Sequence, residues 1–478
     1  MELYQSPFRT RYCRNSPLLR LFSESEKIRT WRQLWIWLAE AQCSLELPQV
    51  TKEMVEELRA NRDYIDWERA KEEEKRLRHD VMAHIHTYQQ VCPKAAGIIH
   101  LGATSAFVQD NADLIMIRDG LDIILPKIAT CLDRLKSFAL RFKSLPTVGR
   151  THYQAASLTT VGKRACLWTQ ELLQAYRNLL HFRKQMRFRG VQGATGSQAS
   201  FLSLFQGDAD KVEKLQEAVT RSAGFSESYV ITGQTYSRLQ DAELLNHFAL
   251  LGAAIQKICM DLRMLQAWGE IAEPFEQDQI GSSAMPYKKN PMRSERCCSF
   301  ARFLMHLPGN ALATAAEQGF ERTLDDSANR RLVLPDAFLS AEALLLTFQN
   351  IAEGLVVIEE RVRENVNWEL PFLALEHILM ELTMAGASRQ EGHAKIRQVA
   401  LGAQERRGKG ERVQLADMLA SDAFFAPVRH RAAELQADPL QLTGRCQEQV
   451  TTFVDKELQP LLEEMKPKIT EQKAQLHV

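Results

Sequence analysis

Three long stretches of this chain carry apolar residues at alternating spacings of three and four, which places them on one stripe of an α-helix. The stretches run over residues 158–186, 244–265 and 338–355. Helices of this length, about 45 Å for 30 residues, pack side by side as a bundle. Because they are longer than a small domain is wide, we expect part of their apolar surface to contact other subunits. The chain is therefore predicted to be all-α and to form a homo-oligomer.

The sequence around these stretches predicts three helical domains. An N-terminal helical domain, residues 1–110, is charged and interrupted near residues 93–104. A central domain, residues 111–364, holds the long-helix bundle and the oligomerisation surface. A C-terminal helical domain, residues 365–478, has shorter and more mixed helical patterns.

Composition excludes several classes of protein. The 478 residues carry 60 basic and 60 acidic side chains, so no net charge attracts nucleic acid or a membrane surface. The nine cysteines are scattered and never spaced as C-x-x-C, which argues against a disulfide framework or a zinc site. We see no secretory signal and no apolar run near the roughly 20 residues of a membrane span. A cytoplasmic protein is expected.

The most distinctive segment is residues 281–291, Gly-Ser-Ser-Ala-Met-Pro-Tyr-Lys-Lys-Asn-Pro. Its glycine, serines and prolines favour a loop. Hydroxyl, ammonium and amide groups on one loop suit the binding of a carboxylate-rich substrate. The ordinary alternative is a surface loop whose lysines are solvated.

This segment closely resembles the signature of the aspartase/fumarase superfamily, whose members eliminate fumarate from succinyl compounds. The following residues 292–298, Met-Arg-Ser-Glu-Arg-Cys-Cys, are similar to the adenylosuccinate lyase branch. The resemblance implies an aspartase/fumarase-like fold and cleavage of two nucleotide substrates without a cofactor. Adenylosuccinate would give AMP and fumarate, and the succinylated ribotide SAICAR would give AICAR and fumarate, in purine biosynthesis. It also implies a homotetramer whose active sites are shared between subunits.

His152 lies in Thr-His-Tyr-Gln, residues 151–154, directly before the first apolar stretch. We therefore expect it near a helix N-terminus, where the dipole lowers a histidine's pKa and suits proton transfer. From the residues alone, a capping or packing histidine is the alternative. The resemblance implies that His152 is the general acid. The branch usually continues Pro-Ala-Gln, whereas this chain has Ala155, Ala156 and Ser157.

The resemblance also implies that Ser282 is the general base. A serine hydroxyl is too weak an acid to serve unaided, so it needs a nearby cation and exclusion of water. Lys288 is the candidate cation, and Asn290 can donate hydrogen bonds to a substrate carboxylate.

Three further segments are candidates for substrate binding. Thr104 and Ser105 follow a glycine and could either bind a carboxylate or cap a helix. Residues 322–331 could clamp a phosphate or form a solvated charged turn. The resemblance favours binding in both segments, and implies substrate contacts at further positions: Arg11, Tyr12, Arg78, His79, Asp80, Gln234, Arg296, Arg322, Ser327 and Arg331.

The chain lacks a P-loop, a dinucleotide-binding fingerprint and an H-E-x-x-H motif, so nothing in it calls for a metal, nicotinamide or ATP. Three other readings stay open. A different lyase of the superfamily could carry the loop signature, although residues 322–331 favour a phosphorylated substrate. A non-catalytic structural protein could use the same scaffold, although His152, Ser282 and Lys288 are intact. Without the resemblance, a helical scaffold protein would be the default.

Overall fold

The computed structural model describes residues 3–476 and is predominantly helical. Its helices are, in chain order, α1 (Pro17–Leu21), α2 (Glu24–Ser44), α3 (Lys52–Ala60), α4 (Trp67–Leu77), α5 (Asp80–Val91), α6 (Ser105–Arg141), α7 (Val161–Gln185), α8 (Ala199–Leu204), α9 (Ala209–Ser222), α10 (Leu239–Ala267), α11 (Met292–His306), α12 (Pro308–Ala316), α13 (Asp326–Gly354), α14 (Glu359–Leu373), α15 (Leu375–Met384), α16 (Arg389–Gly408), α17 (Leu415–Ala420), α18 (Arg431–Ala437), α19 (Cys446–Phe453) and α20 (Gln459–Met465).

Two small antiparallel pairs of strands accompany these helices. Strand β1 (Pro146–Thr151) pairs with β2 (Gln154–Thr160), and β3 (Ile271–Ala272) pairs with β4 (Val356–Val357). The first pair forms a hairpin with an irregularity after Gly149. The second pair brings the end of α10 next to the end of α13.

The centre of the molecule is a bundle of long helices. Helix α6 packs against α7 and α13, while α10 packs against α7 and α11. The Phe338 ring of α13 lies 4.9 Å from the Phe248 ring of α10, edge to face. At Gly120 of α6, an added Cβ would lie 2.7 Å from the Phe338 ring, so only glycine permits this approach of the helices. Burial of each such aromatic ring contributes about 2 kcal/mol. The all-α prediction is confirmed.

Two details of the helix prediction were wrong. The first apolar stretch begins in strand β2, since Leu158 lies there and α7 begins only at Val161. The longest helix, α6, was not recognised as an apolar stretch. Its buried residues surround much of its circumference, so they form no single stripe, and Pro126 lies inside it.

The buried apolar residues form one large cluster and two smaller ones within the described residues. The large cluster contains the bundle and also includes Val450, Leu458 and Leu462 near the C-terminus. A separate cluster lies between Ala374 and Leu435. The division into domains at residues 110 and 364 stays a prediction.

Helix α13 is the one described helix that is long and apolar enough to span a membrane. Of its most apolar 18 residues, 78% are buried inside the protein. A mostly buried core helix of a soluble protein has the same length and composition.

Candidate active site

His79 and Ser105 are brought together where α5 and α6 begin. Arg78 ends the preceding helix in a left-handed conformation, φ 56°, which turns the chain so that His79 caps α5. The His79 Nδ1 accepts the Met82 N–H at 3.3 Å, and its Nε2 lies 3.3 Å from the Ser105 Oγ. Thr104 occupies the N-cap position of α6, but its side chain makes no capping hydrogen bond. Thr104 therefore occupies the capping position that the alternative predicted, but its hydroxyl does not cap the helix.

Asp80 connects this corner to α13. Its carboxylate accepts a hydrogen bond from the Arg331 guanidinium at 2.7 Å and one from the Val81 N–H at 2.8 Å. Burial alone would raise the pKa of Asp80, but the Val81 N–H and the Arg331 charge outweigh burial and lower it. The Asp80 carboxylate is therefore ionised at neutral pH and holds Arg331 in place.

Gln234 and Arg322 are also neighbours. The Gln234 Oε1 accepts a hydrogen bond from Arg322 at 3.1 Å, and its Nε2 donates to the Ala194 carbonyl at 3.0 Å. At Gly233 an added Cβ would lie 2.6 Å from the Glu321 carbonyl oxygen, so the two loops meet there only because the residue is glycine. This close approach sets the position of Gln234 relative to Arg322.

A cavity of about 150 Å³ lies between these groups and the start of α13. Arg322, Ser327 and Arg331, which the sequence analysis assigned to a phosphate clamp, all line it, and Lys27 adds a further cation. The structure thus brings the three predicted residues to one concave surface. A guanidinium pair with a hydroxyl there is suited to bind a phosphate.

A buried ionic network, most of whose residues line the same cavity, was missed by the sequence analysis. Arg238 pairs with Asp110 at 2.9 Å and with Asp326 at 2.6 Å, while Arg330 pairs with Asp241 at 2.7 Å. Burial would raise the pKa of Asp110, but the two guanidinium groups lower it. The network joins α6, α10 and α13, and loss of one partner would leave a buried charge at a cost of about 3–5 kcal/mol. The presence of aspartates within apolar helical stretches was the sequence signal that could have revealed this network.

His152 lies at the tip of the β1–β2 hairpin, and the prediction that it sits near a helix N-terminus was wrong. Thr151 pairs with Gln154, and His152 has a left-handed conformation, φ 51°. Residues 154–160 form strand β2 instead of leading directly into α7, because they pair with β1. Ala155 and Ser157 both belong to that pairing. The helix-dipole argument therefore does not apply to His152.

The exposed His152 side chain faces a cavity of about 500 Å³ beside the end of α10. Arg150, Arg164 and Lys257 line this cavity, and the Arg150 guanidinium lies 4.2 Å from the centre of the Trp268 ring. Within residues 3–476 the His152 ring makes no hydrogen bond or ion pair.

The 281–291 segment is a loop, as predicted, with an exposed tip. The Ser282 Oγ accepts the Met285 N–H at 3.1 Å, and the Asn290 side chain donates to the Gly281 carbonyl at 2.7 Å. Lys288 is exposed, and within the described chain its ammonium makes no hydrogen bond or ion pair with Ser282. Within the described chain, neither the Lys288 ammonium nor the His152 ring therefore makes a hydrogen bond with Ser282.

A further group of predicted substrate contacts consists of Arg11, Tyr12 and Arg296. Both guanidinium groups lie 5.9 Å from the centre of the Tyr12 ring, which packs edge to face on Phe300 at 4.9 Å. Burial lowers the pKa of Arg296. Because Arg296 belongs to α11, which directly follows the loop, this group lies beside the loop's C-terminal end.

His100 is a further residue that the sequence analysis did not single out. Its Nδ1 accepts the Trp35 indole N–H at 2.9 Å. Burial, with a smaller contribution from neighbouring His79, lowers its pKa to about 4. Its left-handed conformation, φ 67°, precedes Thr104 in the same turn. Its place in the sequence Ile-Ile-His-Leu-Gly, two residues before the glycine, was the available signal.

In residues 3–476 no group of three or more His, Cys, Asp or Glu side chains is arranged to hold a metal ion. All nine cysteines are free thiols.

Comparison with known proteins identifies the class of protein to which this site belongs. A family model described as "Lyase" matches residues 20–304, and one described as "Adenylosuccinate lyase C-terminus" matches residues 371–453. An adenylosuccinate lyase of Caenorhabditis briggsae is 55% identical over 96% of each chain, and one of Saccharomyces cerevisiae is 47% identical over 99% of each chain. A fumarate lyase from Mesorhizobium sp. BNC1 has a similar fold, with a TM-score of 0.81 at 22% identity over 95% of this chain and 100% of the other.

The helical bundle, the loop and the family matches together define a lyase of the aspartase/fumarase superfamily. These are enzymes that break a bond by elimination. Within that superfamily, the chain belongs to the adenylosuccinate lyase family. The superfamily and the branch predicted from residues 281–298 are confirmed.

Proposed function

We propose that this protein eliminates fumarate from adenylosuccinate, giving AMP, and from SAICAR, giving AICAR. The observation that carries the proposal is the 55% identity, over 96% of both chains, to the Caenorhabditis briggsae relative named adenylosuccinate lyase. The cavity lined by Arg322, Ser327 and Arg331 supports a phosphorylated substrate, because it offers two guanidinium groups and a hydroxyl.

The chemical problem is to remove a proton from a carbon next to a carboxylate, which is a very weak acid. The resulting carbanion spreads its charge onto the carboxylate, so fixed hydrogen-bond donors at that carboxylate accelerate the reaction. We assign this stabilisation to Lys288, Asn290, Thr104 and Ser105.

Ser282 removes the proton and His152 protonates the departing nitrogen. The Met285 N–H that donates to the Ser282 Oγ supports this role, because a hydrogen bond to the charged form of a group favours that form. Lys288 adds positive charge once the loop closes, and closure excludes water from the serine. The reaction uses no cofactor.

The nucleotide is held away from the reacting atoms. Arg322, Ser327 and Arg331 bind the phosphate, while the remaining contacts orient the rest of the substrate and reduce the entropy lost on reaching the transition state. These orienting residues are Arg11, Tyr12, Arg78, His79, Asp80, Gln234 and Arg296.

The active enzyme is a homotetramer in which each site draws residues from several subunits. Two observations support this. His152 is exposed and makes no hydrogen bond or ion pair within the described residues of its own chain, so its ring is accessible to a neighbouring subunit. Large apolar side chains on the bundle helices face outwards: Leu239, Leu250 and Leu332 are 63%, 51% and 70% exposed. Association of such bundles into an oligomer would remove these side chains from water.

The tetramer's subunit has three helical domains, 1–110, 111–364 and 365–478, with the central one forming the shared core. The protein acts in the cytoplasm. Its nine free thiols support this compartment, because disulfides are rare where glutathione keeps cysteines reduced. Its ligands are small-molecule nucleotides, and nucleic acid and membrane are not among its partners.

An ultraviolet assay of fumarate release from adenylosuccinate tests the function. The wild-type protein should release fumarate from adenylosuccinate and not from argininosuccinate, and H152A should lose at least about 100-fold in kcat. Release from argininosuccinate alone, or no turnover by a well-folded oligomer, would contradict the proposal.

A further inference from the structure

Glu273 is a buried carboxylate with no role in the mechanism above. It directly follows strand β3 and is only 6% exposed. Its Oε1 accepts the Arg293 N–H at 2.9 Å, and its Oε2 accepts the Ser294 N–H at 2.9 Å and the Ser294 hydroxyl at 3.0 Å. The carboxylate thus caps the first turn of α11, where N–H groups lack helical partners and the dipole favours a negative charge.

Two more side chains hold the two ends of this loop segment together. Gln266 accepts the Glu273 N–H at 3.2 Å and donates to the Lys289 carbonyl at 2.9 Å, so it holds both ends of the segment 274–291. The buried Arg293 guanidinium donates to the Pro274 carbonyl at 2.8 Å. The tip of the segment, by contrast, is exposed; Tyr287 is 82% accessible.

We propose that Glu273 is a positioning residue that sets where the 281–291 loop leaves the protein and therefore where Ser282 lies when the site closes. The inference rests on the proposed role of Ser282. Glu273 joins the start of the segment to the helix at its end, so both limbs share one rigid anchor. Misplacement of a catalytic group by about 1 Å can cost about 100-fold in rate.

Most of the proposed nucleotide contacts come from other elements, namely α5, α13 and the loop at Gln234, and only Arg296 belongs to α11. Disturbing Glu273 should therefore slow the reaction without weakening substrate binding by a comparable factor. This separation of kcat from KM distinguishes a positioning role from a general loss of structure.

The test is E273Q, which keeps the shape of the side chain but turns an acceptor into a donor that faces an N–H group. We expect kcat for fumarate release to fall about 10- to 100-fold while KM changes less than about threefold. Hydrogen exchange of the amides at 281–291 should become faster, because the anchor is weaker.

The matched control is E217Q, which makes the same change of charge on the surface helix α9, away from the loop. The Glu217 side chain is 55% exposed and its ion pair with Arg221 lies at the surface, so kcat and exchange should stay within about twofold of wild type. A folded E273Q protein with wild-type kcat and wild-type exchange would overturn the proposal.

S294A provides a second variant in case E273Q does not fold. It removes only the hydroxyl bond to Glu273 and keeps both backbone bonds, so we expect a several-fold increase in loop exchange with the fold intact. Unchanged exchange in S294A would then overturn the inference. If wild-type protein releases no fumarate, the proposed function fails, whereas loop exchange in these variants still tests the anchor.

Discussion

The Arg331 guanidinium donates a hydrogen bond to the Asp80 carboxylate at 2.7 Å, across 251 residues of sequence. Asp80 begins α5 and Arg331 belongs to the first turns of α13. The pair holds the corner of His79 and Ser105 beside the cavity that Arg322 and Ser327 line. One ion pair therefore sets the distance between two groups of candidate substrate contacts.

Replacing Asp80 with Asn should weaken substrate binding more than it weakens the fold. The side chains of Asp80 and Arg331 are 20% and 51% exposed, so the pair contributes only about 1 kcal/mol to stability. An Arg331 that is no longer oriented should raise KM for adenylosuccinate about 5- to 10-fold, with a smaller change in kcat. Steady-state kinetics and a denaturation curve measure the two effects.

E217Q is the control for this variant, because Glu217 pairs with Arg221 at 2.9 Å on an exposed helix face. Its KM should equal that of wild type. Equal KM values for D80N and E217Q would contradict the proposed role of the Asp80–Arg331 pair.

His84 should make the protein less stable as the pH falls from about 6.5 to about 4. Burial between the Trp31 and Trp67 rings, together with the nearby Arg32 charge, lowers its pKa to about 4. An unfolded histidine has a pKa of about 6.5. Between these pH values the unfolded state binds a proton at His84 and the folded state does not. The contribution of His84 to the free energy of unfolding is therefore complete above pH 6.5 and decreases by up to about 1.4 kcal/mol per pH unit below it.

Urea denaturation at fixed protein concentration measures this slope. H84F removes the proton-binding group and should make the curve shallower between pH 6.5 and pH 4. His100, whose pKa is also lowered to about 4, keeps part of the slope in that variant. Identical slopes for H84F and wild type would show that His84 is not responsible.

Gly281→Ala should impair the loop and leave the bundle intact. An added Cβ would lie 2.1 Å from the Lys288 carbonyl oxygen, so the two limbs of the loop must separate. Ser282 would move with them, and we expect kcat to fall about 100-fold with little change in the thermal midpoint. G309A is the control, since nothing lies within 4 Å of a Cβ at Gly309. Full activity in G281A would show that the loop tolerates this separation.

Mixing two inactive variants tests the shared site. H152A and S282A, denatured together and reassembled, should recover activity if the acid and the base of one site come from different subunits. With random assembly, half of the His152 positions and half of the Ser282 positions are wild type, so about a quarter of the sites are intact. Each variant reassembled alone should stay inactive. No recovery in verified mixed tetramers would mean that each chain supplies both residues.

Local patterns in the sequence were sufficient to predict the fold class and the family. The spacing of apolar residues predicted α7, α10 and α13, because a helix that buries one face repeats its pattern along the chain. The 281–291 signature predicted a loop and, with residues 292–298, the family. Both signals are read from contiguous residues, so no knowledge of distant contacts was needed.

Interactions between distant residues could not be predicted in the same way. The position of His152 depended on whether residues 154–160 would pair with β1 or extend α7, and cross-strand hydrogen bonds decided it. Helix α6 was overlooked because burial on many sides leaves no polar stripe.

The sequence by itself determined that this is a long-helix lyase with a signature loop, since both properties follow from short-range patterns. Only the tertiary structure decided that Asp80 meets Arg331, that Gln234 meets Arg322, and that Glu273 anchors the loop at α11. These contacts join segments up to 251 residues apart, and they form because packing of the bundle brings helix ends together.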